Sequence, residues 1–147
     1  MKADTVTGKE VMDVLNRFAD YYCKCDLEGL LSTIALDPDV FVFCAGQDDK
    51  CAGIDEIKTQ FKHDWLQFDA PSLEFTWTSI SAAGSVAWVA ANTLYKMTIK
   101  GNNLIFTCSV TMVLEKREGK WFIVHIHYSV PVEELPHSDA QKQLSTL

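Results

Sequence analysis

The most regular pattern in the chain is an alternation of apolar and polar residues across Leu104–Pro131. It predicts two long β-strands joined by a tight turn that ends at Gly119, each strand with one buried face. A two-residue turn sets Met112 opposite His125, whereas a three-residue turn sets Met112 opposite Val124. Only the three-residue turn puts the apolar faces of both strands on the same side, and the sequence therefore favours it.

In this register the hairpin has an apolar inner face and a mixed outer face. We expect Met112 and Tyr128 to point into the protein and the two histidines of the second strand to point away from it. A mixed face of this kind is either solvated or covered by another subunit. Its predicted members, taken as candidate interface residues, are Thr107, Ser109, Thr111, Trp121, His125 and His127.

The rest of the chain places helices before strands. Thr7 and Glu10 have the spacing of a capping box ahead of a first amphipathic helix. Asp26 is a suitable N-cap for a short second helix, and a third helix is predicted after Gly53. Strands are expected at 40–44, 72–81, 85–99 and in the final hairpin.

Helices followed by long antiparallel strands are typical of an α+β fold. We expect the N-terminal helices to pack on the concave face of a curved, mainly antiparallel sheet. Such an arrangement encloses an apolar cavity between the helices and the sheet.

Length and composition narrow the class of protein. The chain has 147 residues, of which 48% are hydrophobic, enough for one domain with a substantial core. We expect that domain at 1–131, followed by a polar tail at 132–147 that is either a short helix or disordered. Five irregularly spaced cysteines, with no run typical of a signal peptide or a membrane span, indicate a cytoplasmic protein.

Charge and ligand chemistry exclude several kinds of site. The net charge of −7 argues against nucleic acid and anionic membranes as partners, because both favour basic surfaces. His125 and His127 project from one face, but their cross-strand neighbours Ser109 and Thr111 are poor zinc ligands. Cys108 falls on the opposite face from the histidines, which argues against a Cys–His nucleophilic pair. The sequence therefore predicts neither a metal site nor a cofactor.

The chain resembles the SnoaL-like domains of the nuclear transport factor 2-like superfamily in four segments. They are CDLEGLLS at 25–32, GIDEIKTQF at 53–61, SVAWVAA at 85–91 and GKWFIVHIHYSVP at 119–131. The last segment is also similar to the end of the association domain of calcium/calmodulin-dependent protein kinase II, which has the same fold. The resemblance implies a cone fold, a fold that hosts enzymes, carriers and assembly modules alike.

The resemblance also has implications for ligand chemistry. The kinase association domain lines its pocket with arginines, and the aligned positions here hold Ala90, Met112 and Tyr128. The resemblance therefore implies a pocket for a small neutral or apolar ligand rather than for an anion. The same alignment turns Trp88 and Asn92 inward together with Ala90.

A candidate ligand site follows from these assignments. Aromatic walls with a few hydroxyl and amide groups are typical of small-molecule sites. The expected lining is Tyr22, Phe43, Trp65, Trp88, Asn92, Met112 and Tyr128, with Phe106 as an additional candidate. The candidate acid or base is Asp39 or Glu74. The facing of Glu74 and Trp77 depends on a turn that the sequence does not determine.

Three functional hypotheses are compatible with the sequence. The leading one is a small-molecule-binding SnoaL-like protein of unassigned activity that dimerises through the outer sheet face. The second is an isomerase, cyclase or dehydratase for a small hydrophobic substrate, with Asp39 or Glu74 as acid or base and Tyr22 or Tyr128 as hydrogen-bond donor. The third is an oligomeric association module, which predicts an assembly larger than a dimer.

Overall fold

In the described part of the chain, six strands form one mixed sheet, and three helices precede its four long carboxy-terminal strands. The computed structural model describes residues 1–44 and 50–131. The helices are α1 (Thr5–Cys23), α2 (Leu27–Leu31) and α3 (Gly53–Gln67). The strands are β1 (Phe41–Phe43), β2 (Lys50–Ala52), β3 (Asp69–Ala83), β4 (Val86–Ile99), β5 (Asn102–Arg117) and β6 (Lys120–Ser129). The expectations for the segment after β1 and for the tail fall on 45–49 and 132–147, outside the described residues.

The sheet has the strand order β2-β1-β6-β5-β4-β3. Strands β1 and β6 run parallel, and every other neighbouring pair is antiparallel. Helix α1 packs against β3 and β6, so the core lies between the helices and one face of the sheet. The predicted α+β fold, with N-terminal helices on a mainly antiparallel sheet, is confirmed.

Helix α1 begins earlier than the capping-box spacing predicted. Its N-cap is Asp4, whose side chain accepts a hydrogen bond from the backbone N–H of Thr7 at 2.8 Å. Glu10 instead accepts hydrogen bonds from Lys116 Nζ at 2.9 Å and from Trp121 Nε1 at 2.8 Å. These two bonds lower the pKa of Glu10, the one from Lys116 having the larger effect, and they join the start of α1 to the last hairpin.

The turn between β5 and β6 has two residues rather than the predicted three. Arg117 pairs with Lys120 across the turn. Glu118 and Gly119 have φ angles of 50° and 80°, the left-handed values that a type I′ turn requires at both central positions. A turn of this type follows the natural twist of the strands, and Gly119 adopts its conformation without the strain that a β-carbon causes.

A bulge in β6 then restores the facing that the shorter turn alone would reverse. Leu114 pairs with Ile123 and Val113 pairs with His125, so Val124 is an extra residue on the β6 side. From that point the alternation of inward and outward side chains is shifted by one residue. The sequence argument compared only unbroken registers and did not consider a bulge.

The bulge decides which side chains of β6 reach the interior. Beyond it, Ile126 is buried and His127 is exposed, as the sequence predicted. Before it, the facing is the opposite of the prediction, and Trp121 is only 5% exposed. The assignment of Trp121 to the outer face was therefore wrong, because its indole lies inside and donates to Glu10.

The two-residue turn can be tested through Glu118. The substitution Glu118→Asn should raise the free energy of unfolding by roughly 0.5–1 kcal/mol, because asparagine tolerates left-handed backbone angles better than glutamate. Urea denaturation measures the change. The control is Ser85→Asn, which changes a residue of the β3–β4 turn whose φ is not positive and should have little effect. Equal changes in both variants would contradict the type I′ turn.

Candidate ligand cavity

A cavity of about 100 Å³ lies between the helices and the inner face of the sheet. An apolar cavity of about 150 Å³ is known to hold benzene in another protein, so this one is near the size of a single ring. Side chains from α1, α3 and the sheet contribute to it. The described lining residues are Tyr22, Val42, Cys44, Cys51, Ile57, Gln60, Phe61, Asp64, Phe68, Tyr95, Met97, Phe106, Cys108 and Tyr128.

Tyr95 is at the centre of the aromatic part of the wall. Its ring stacks on that of Phe106, with centroids 5.1 Å apart and planes 6° apart, because the two residues are direct cross-strand partners. It meets the ring of Tyr22 edge-on at 5.7 Å and that of Tyr128 at 6.4 Å. These are favourable aromatic geometries, and they hold three hydroxyl-bearing rings in fixed positions.

The hydroxyls of Tyr22, Tyr95 and Tyr128, which we call the tyrosine cluster, are protonated at neutral pH. Burial raises the pKa of each above the ordinary value of 10.0. The negative charge of Asp64 adds to the rise in pKa at Tyr22 and Tyr128. Hydrogen bonding between the side chains of Tyr95 and Tyr128 adds to the rise in the pKa of Tyr95 and partly offsets the rise in the pKa of Tyr128.

Asp64 supplies a carboxylate to the cavity from α3. Its side chain is 25% exposed, and Gln60 Nε2 donates a hydrogen bond to its Oδ1 at 2.9 Å. The two residues are four apart on the helix, so the amide lies directly over the carboxylate and orients it. His63 Nδ1 lies 3.9 Å from the same oxygen, but the imidazole is largely exposed and solvent weakens that interaction.

Three cysteines contribute to the remaining wall: Cys44, Cys51 and Cys108. Burial raises the pKa of the Cys108 thiol to about 11, which keeps it protonated at neutral pH. Cys108 is therefore a small apolar part of the wall and not an activated nucleophile. Within residues 1–44 and 50–131, no three His, Cys, Asp or Glu side chains are grouped as a metal site requires.

Three residues predicted to line the site do lie there. Tyr22, Phe106 and Tyr128 all contact the cavity. Met112 points inward and is buried, but it belongs to the core beside the cavity. Trp65 is also outside the lining and packs against two residues that belong to it, at 6.0 Å from the ring of Tyr22 and 5.7 Å from that of Phe61. The Trp65 Nε1 is buried without a hydrogen-bond partner.

The inward facing predicted for Trp88 and Asn92 was wrong. Ala90 pairs with Thr111, and residues opposite one another in a sheet share a face. Trp88 and Asn92 are each two residues from Ala90, so they point outward with it, while Ala91 is buried. The residues of β4 that reach the cavity are Tyr95 and Met97.

Phe43 is likewise on the outer face. It pairs with His127 of the parallel strand β6 and is 39% exposed. Its ring lies 5.1 Å from the imidazole of His127 and 4.8 Å from the ring of Phe41. The predicted role of Phe43 in the cavity wall was therefore wrong.

Neither predicted acid or base lies at the cavity. Asp39 is exposed in the segment before β1. Glu74 is also exposed, because its neighbour Leu73 takes the buried position on β3. The carboxylate that does line the cavity, Asp64, was missed.

A sequence signal for Asp64 was present. Ile57, Phe61, Asp64 and Phe68 recur at helical spacing, so a carboxylate interrupts an otherwise apolar stripe of α3. Tyr95 also had a signal, since it alternates with the buried Thr93 and Met97 along β4.

The outer sheet face carries the other candidate interface residues. Thr107, Ser109, Thr111 and His127 are exposed on it and His125 is half-buried. Thr111 pairs with His127 on one side and with Ala90 on the other, so these three side chains form one row across the face. Ser109 pairs with Asn92, which pairs with Trp77, and these three form the adjacent row. Trp77, whose facing the sequence left open, is 54% exposed there.

A mainly antiparallel sheet with N-terminal helices packed on one face and a cavity between them is the cone fold of the nuclear transport factor 2-like proteins. The family model of the SnoaL-like domain matches residues 11–133, and the chain belongs to that family. None of the curated protein sequences matches the chain at a significant level. No helix among the described residues is both long and apolar enough to cross a membrane.

Solved structures share the fold at low sequence identity. A nuclear transport factor 2-like protein from Salmonella enterica has a TM-score of 0.80 and 19% identity, over 90% of this chain and 96% of that one. A provisionally assigned calcium/calmodulin-dependent protein kinase II association domain from Xanthomonas campestris has a TM-score of 0.76 and 20% identity, over 90% of this chain and 95% of that one. A provisionally assigned dehydratase from Streptomyces avermitilis has a TM-score of 0.77 and 17% identity, over 85% and 96%.

Proposed function

We propose that this protein binds a small, largely apolar organic molecule in the cavity, with the polar end of that molecule at Asp64 and the tyrosine cluster. The observation that supports the proposal is the composition of the wall. Aromatic and aliphatic side chains surround one carboxylate and three protonated hydroxyls, the combination by which small-molecule sites bury a ligand and orient it. The cavity volume of about 100 Å³ suits a compound built on one ring.

Binding can be tested with benzyl alcohol, a single ring with one neutral polar group. The dissociation constant should be on the order of 1 mM, the affinity expected for so few atoms. Shifts of the NMR signals of Ile57 and Met97, which line the cavity, would report binding.

The substitution Cys108→Met should weaken binding of benzyl alcohol by about tenfold, because the longer side chain takes up part of the cavity. The matched control is Cys23→Met, which makes the same change at an exposed cysteine and should leave the affinity unchanged. No binding to the unmodified protein, or equal binding to both variants, would contradict the proposed site.

One observation favours a second function, acid–base catalysis. Asp64 and the tyrosine cluster contact the same cavity, and the charge of Asp64 raises the pKa of two of those hydroxyls. A carboxylate can remove a proton next to a carbonyl group while a neutral phenol donates a hydrogen bond to the oxyanion that forms. The dehydratase assignment of the Streptomyces avermitilis relative is consistent with chemistry of this kind.

The catalytic hypothesis predicts that the protein isomerises a small unsaturated ketone such as cyclohex-3-enone. Removal of a proton from the carbon between the carbonyl and the double bond, and its return at the far end, gives the conjugated ketone, which absorbs in the ultraviolet. Asp64→Asn should slow the reaction roughly 100-fold because it removes the base. Asp55→Asn, an exposed carboxylate on the same helix, should not. A rate that survives Asp64→Asn would exclude Asp64 as the base.

We also propose that two copies associate through the outer sheet face. The rows formed by Ala90, Thr111 and His127 and by Trp77 and Asn92 contain no Asp, Glu, Lys or Arg, and they include an exposed tryptophan. Charged side chains are depleted and aromatic ones enriched at the centres of protein interfaces. A large exposed aromatic side chain within such a face is typical of a surface that another molecule covers.

The dimer predicts that the unmodified protein sediments with the mass of two chains at micromolar concentration. Thr111→Glu should produce monomers with an unchanged fold, because it places like charges against each other across the interface. Asn16→Glu, which adds the same charge on the exposed side of α1, should leave the mass unchanged. A monomeric unmodified protein would rule out the dimer, and a larger assembly would favour the association module.

A further inference from the structure

We propose that the ligand of the cavity is a small organic ammonium ion, with its nitrogen against the carboxylate of Asp64 and its apolar body against the aromatic wall. This inference rests on the binding function proposed above and specifies the chemical class of the ligand. The sequence implied a neutral or apolar ligand, but Asp64 was not then among the expected lining residues. With this carboxylate in the wall, a cationic ligand is favoured instead.

The first argument is the charge of the wall. Among the described lining residues, Asp64 is the one carboxylate, and none is Lys, Arg or His. A ligand that fills the cavity displaces water from this carboxylate, which removes part of its solvation. A neutral ligand leaves that loss uncompensated and an anionic ligand adds repulsion, whereas a cation replaces the lost solvation with a direct charge pair.

The second argument is the geometry of the aromatic rings. The faces of tyrosine and phenylalanine attract cations within about 6 Å of the ring centre. Tyr22, Tyr95, Tyr128 and Phe106 are grouped with neighbouring centroids 5.1–6.4 Å apart, and all four line the cavity, so a small ammonium group there lies against an aromatic wall. The oxygens of protonated tyrosines can also accept N–H hydrogen bonds.

The third argument is that Asp64 acts on groups on two sides of the cavity. Its charge adds to the raised pKa of Tyr22 on α1 and of Tyr128 on β6, both of which line the cavity with it. The same charge stabilises a cation placed among these groups. Gln60 holds the carboxylate in position, so no rearrangement is needed when the ligand enters.

The test compares benzylamine, which is protonated at neutral pH, with benzyl alcohol, which has nearly the same size and shape. Calorimetric titration of the whole protein should show the amine binding about tenfold more tightly than the alcohol. Asp64→Asn should remove this preference, because it removes the charge that only the amine requires and therefore weakens the amine by about tenfold more than it weakens the alcohol. Asp55→Asn removes an exposed charge from the same helix and should keep the preference, which controls for general attraction to an acidic protein.

The outcomes separate this inference from the binding function beneath it. If both compounds bind equally, or the alcohol binds more tightly, the ligand is not an ammonium ion but the cavity is still a binding site. If neither compound binds, the binding function and this inference both fail. If the amine preference persists in Asp64→Asn, the charge of Asp64 is not its source and the inference is overturned. Asp64→Ser repeats the test, and an unchanged circular dichroism spectrum and melting temperature show that each variant is folded.

Discussion

The pairing of β6 with its neighbours is the constraint on which the rest of the structure depends. Strand β6 lies between β5 and β1, and its start also pairs with the segment after α2, where Ala35 donates to the Ile123 carbonyl at 2.9 Å. Its first half must bury Trp121 beneath α1, and its second half must present Tyr128 to the cavity. No unbroken alternation between positions 121 and 128 does both, because the two positions have opposite parity. The extra residue at Val124 resolves this conflict.

The same bulge sets the relation between the cavity and the outer face. Because side chains alternate beyond it, Tyr128 faces the cavity while His127 beside it faces outward. On β5, Cys108 faces the cavity while Ser109 faces outward. Two neighbouring strands therefore supply both a wall of the cavity and part of the proposed dimer surface. A register slip by one residue would exchange the two faces and destroy both at once.

Sequence patterns predicted the positions of the helices and strands well, but they predicted only in part which side chains face the core. The three helices, the long strands and the outward facing of His127 follow from local periodicity, which a single chain displays directly. The facing of Trp88 and Asn92 depends on which residue of β4 is opposite Thr111, and that is a tertiary property. A family alignment transferred the wrong phase to this strand. The prediction for Trp121 failed for a related reason, because the bulge at Val124 has no marker in the sequence such as a glycine.

The lining of the cavity was also predicted only in part. Aromatic residues that line the cavity were partly predictable, because they are large, apolar and placed on inward-facing positions. Asp64 was missed because the buried stripe of α3 was predicted from its apolar residues alone, and Asp64 is a polar residue within that stripe. A carboxylate at a position where burial is expected is the more informative observation, since an ordinary core would hold an apolar residue there. The functional signal was thus an exception to the periodicity and not part of it.

The shape and the charge of the cavity come from different elements, which explains how one fold can hold different chemistry. The strands provide the shape of the cavity through Tyr95, Phe106 and Tyr128. Each is paired with a residue of a neighbouring strand, and Tyr95 is paired on both sides. Helix α3 provides the charge through Asp64 and orients it through Gln60, and neither residue takes part in the sheet. A substitution on α3 can therefore change the charge of the cavity without altering any strand register. The sheet of this chain resembles those of solved structures at 20% identity or less, and that likeness shows the fold, whereas the polar residues on α3 are specific to this chain's cavity.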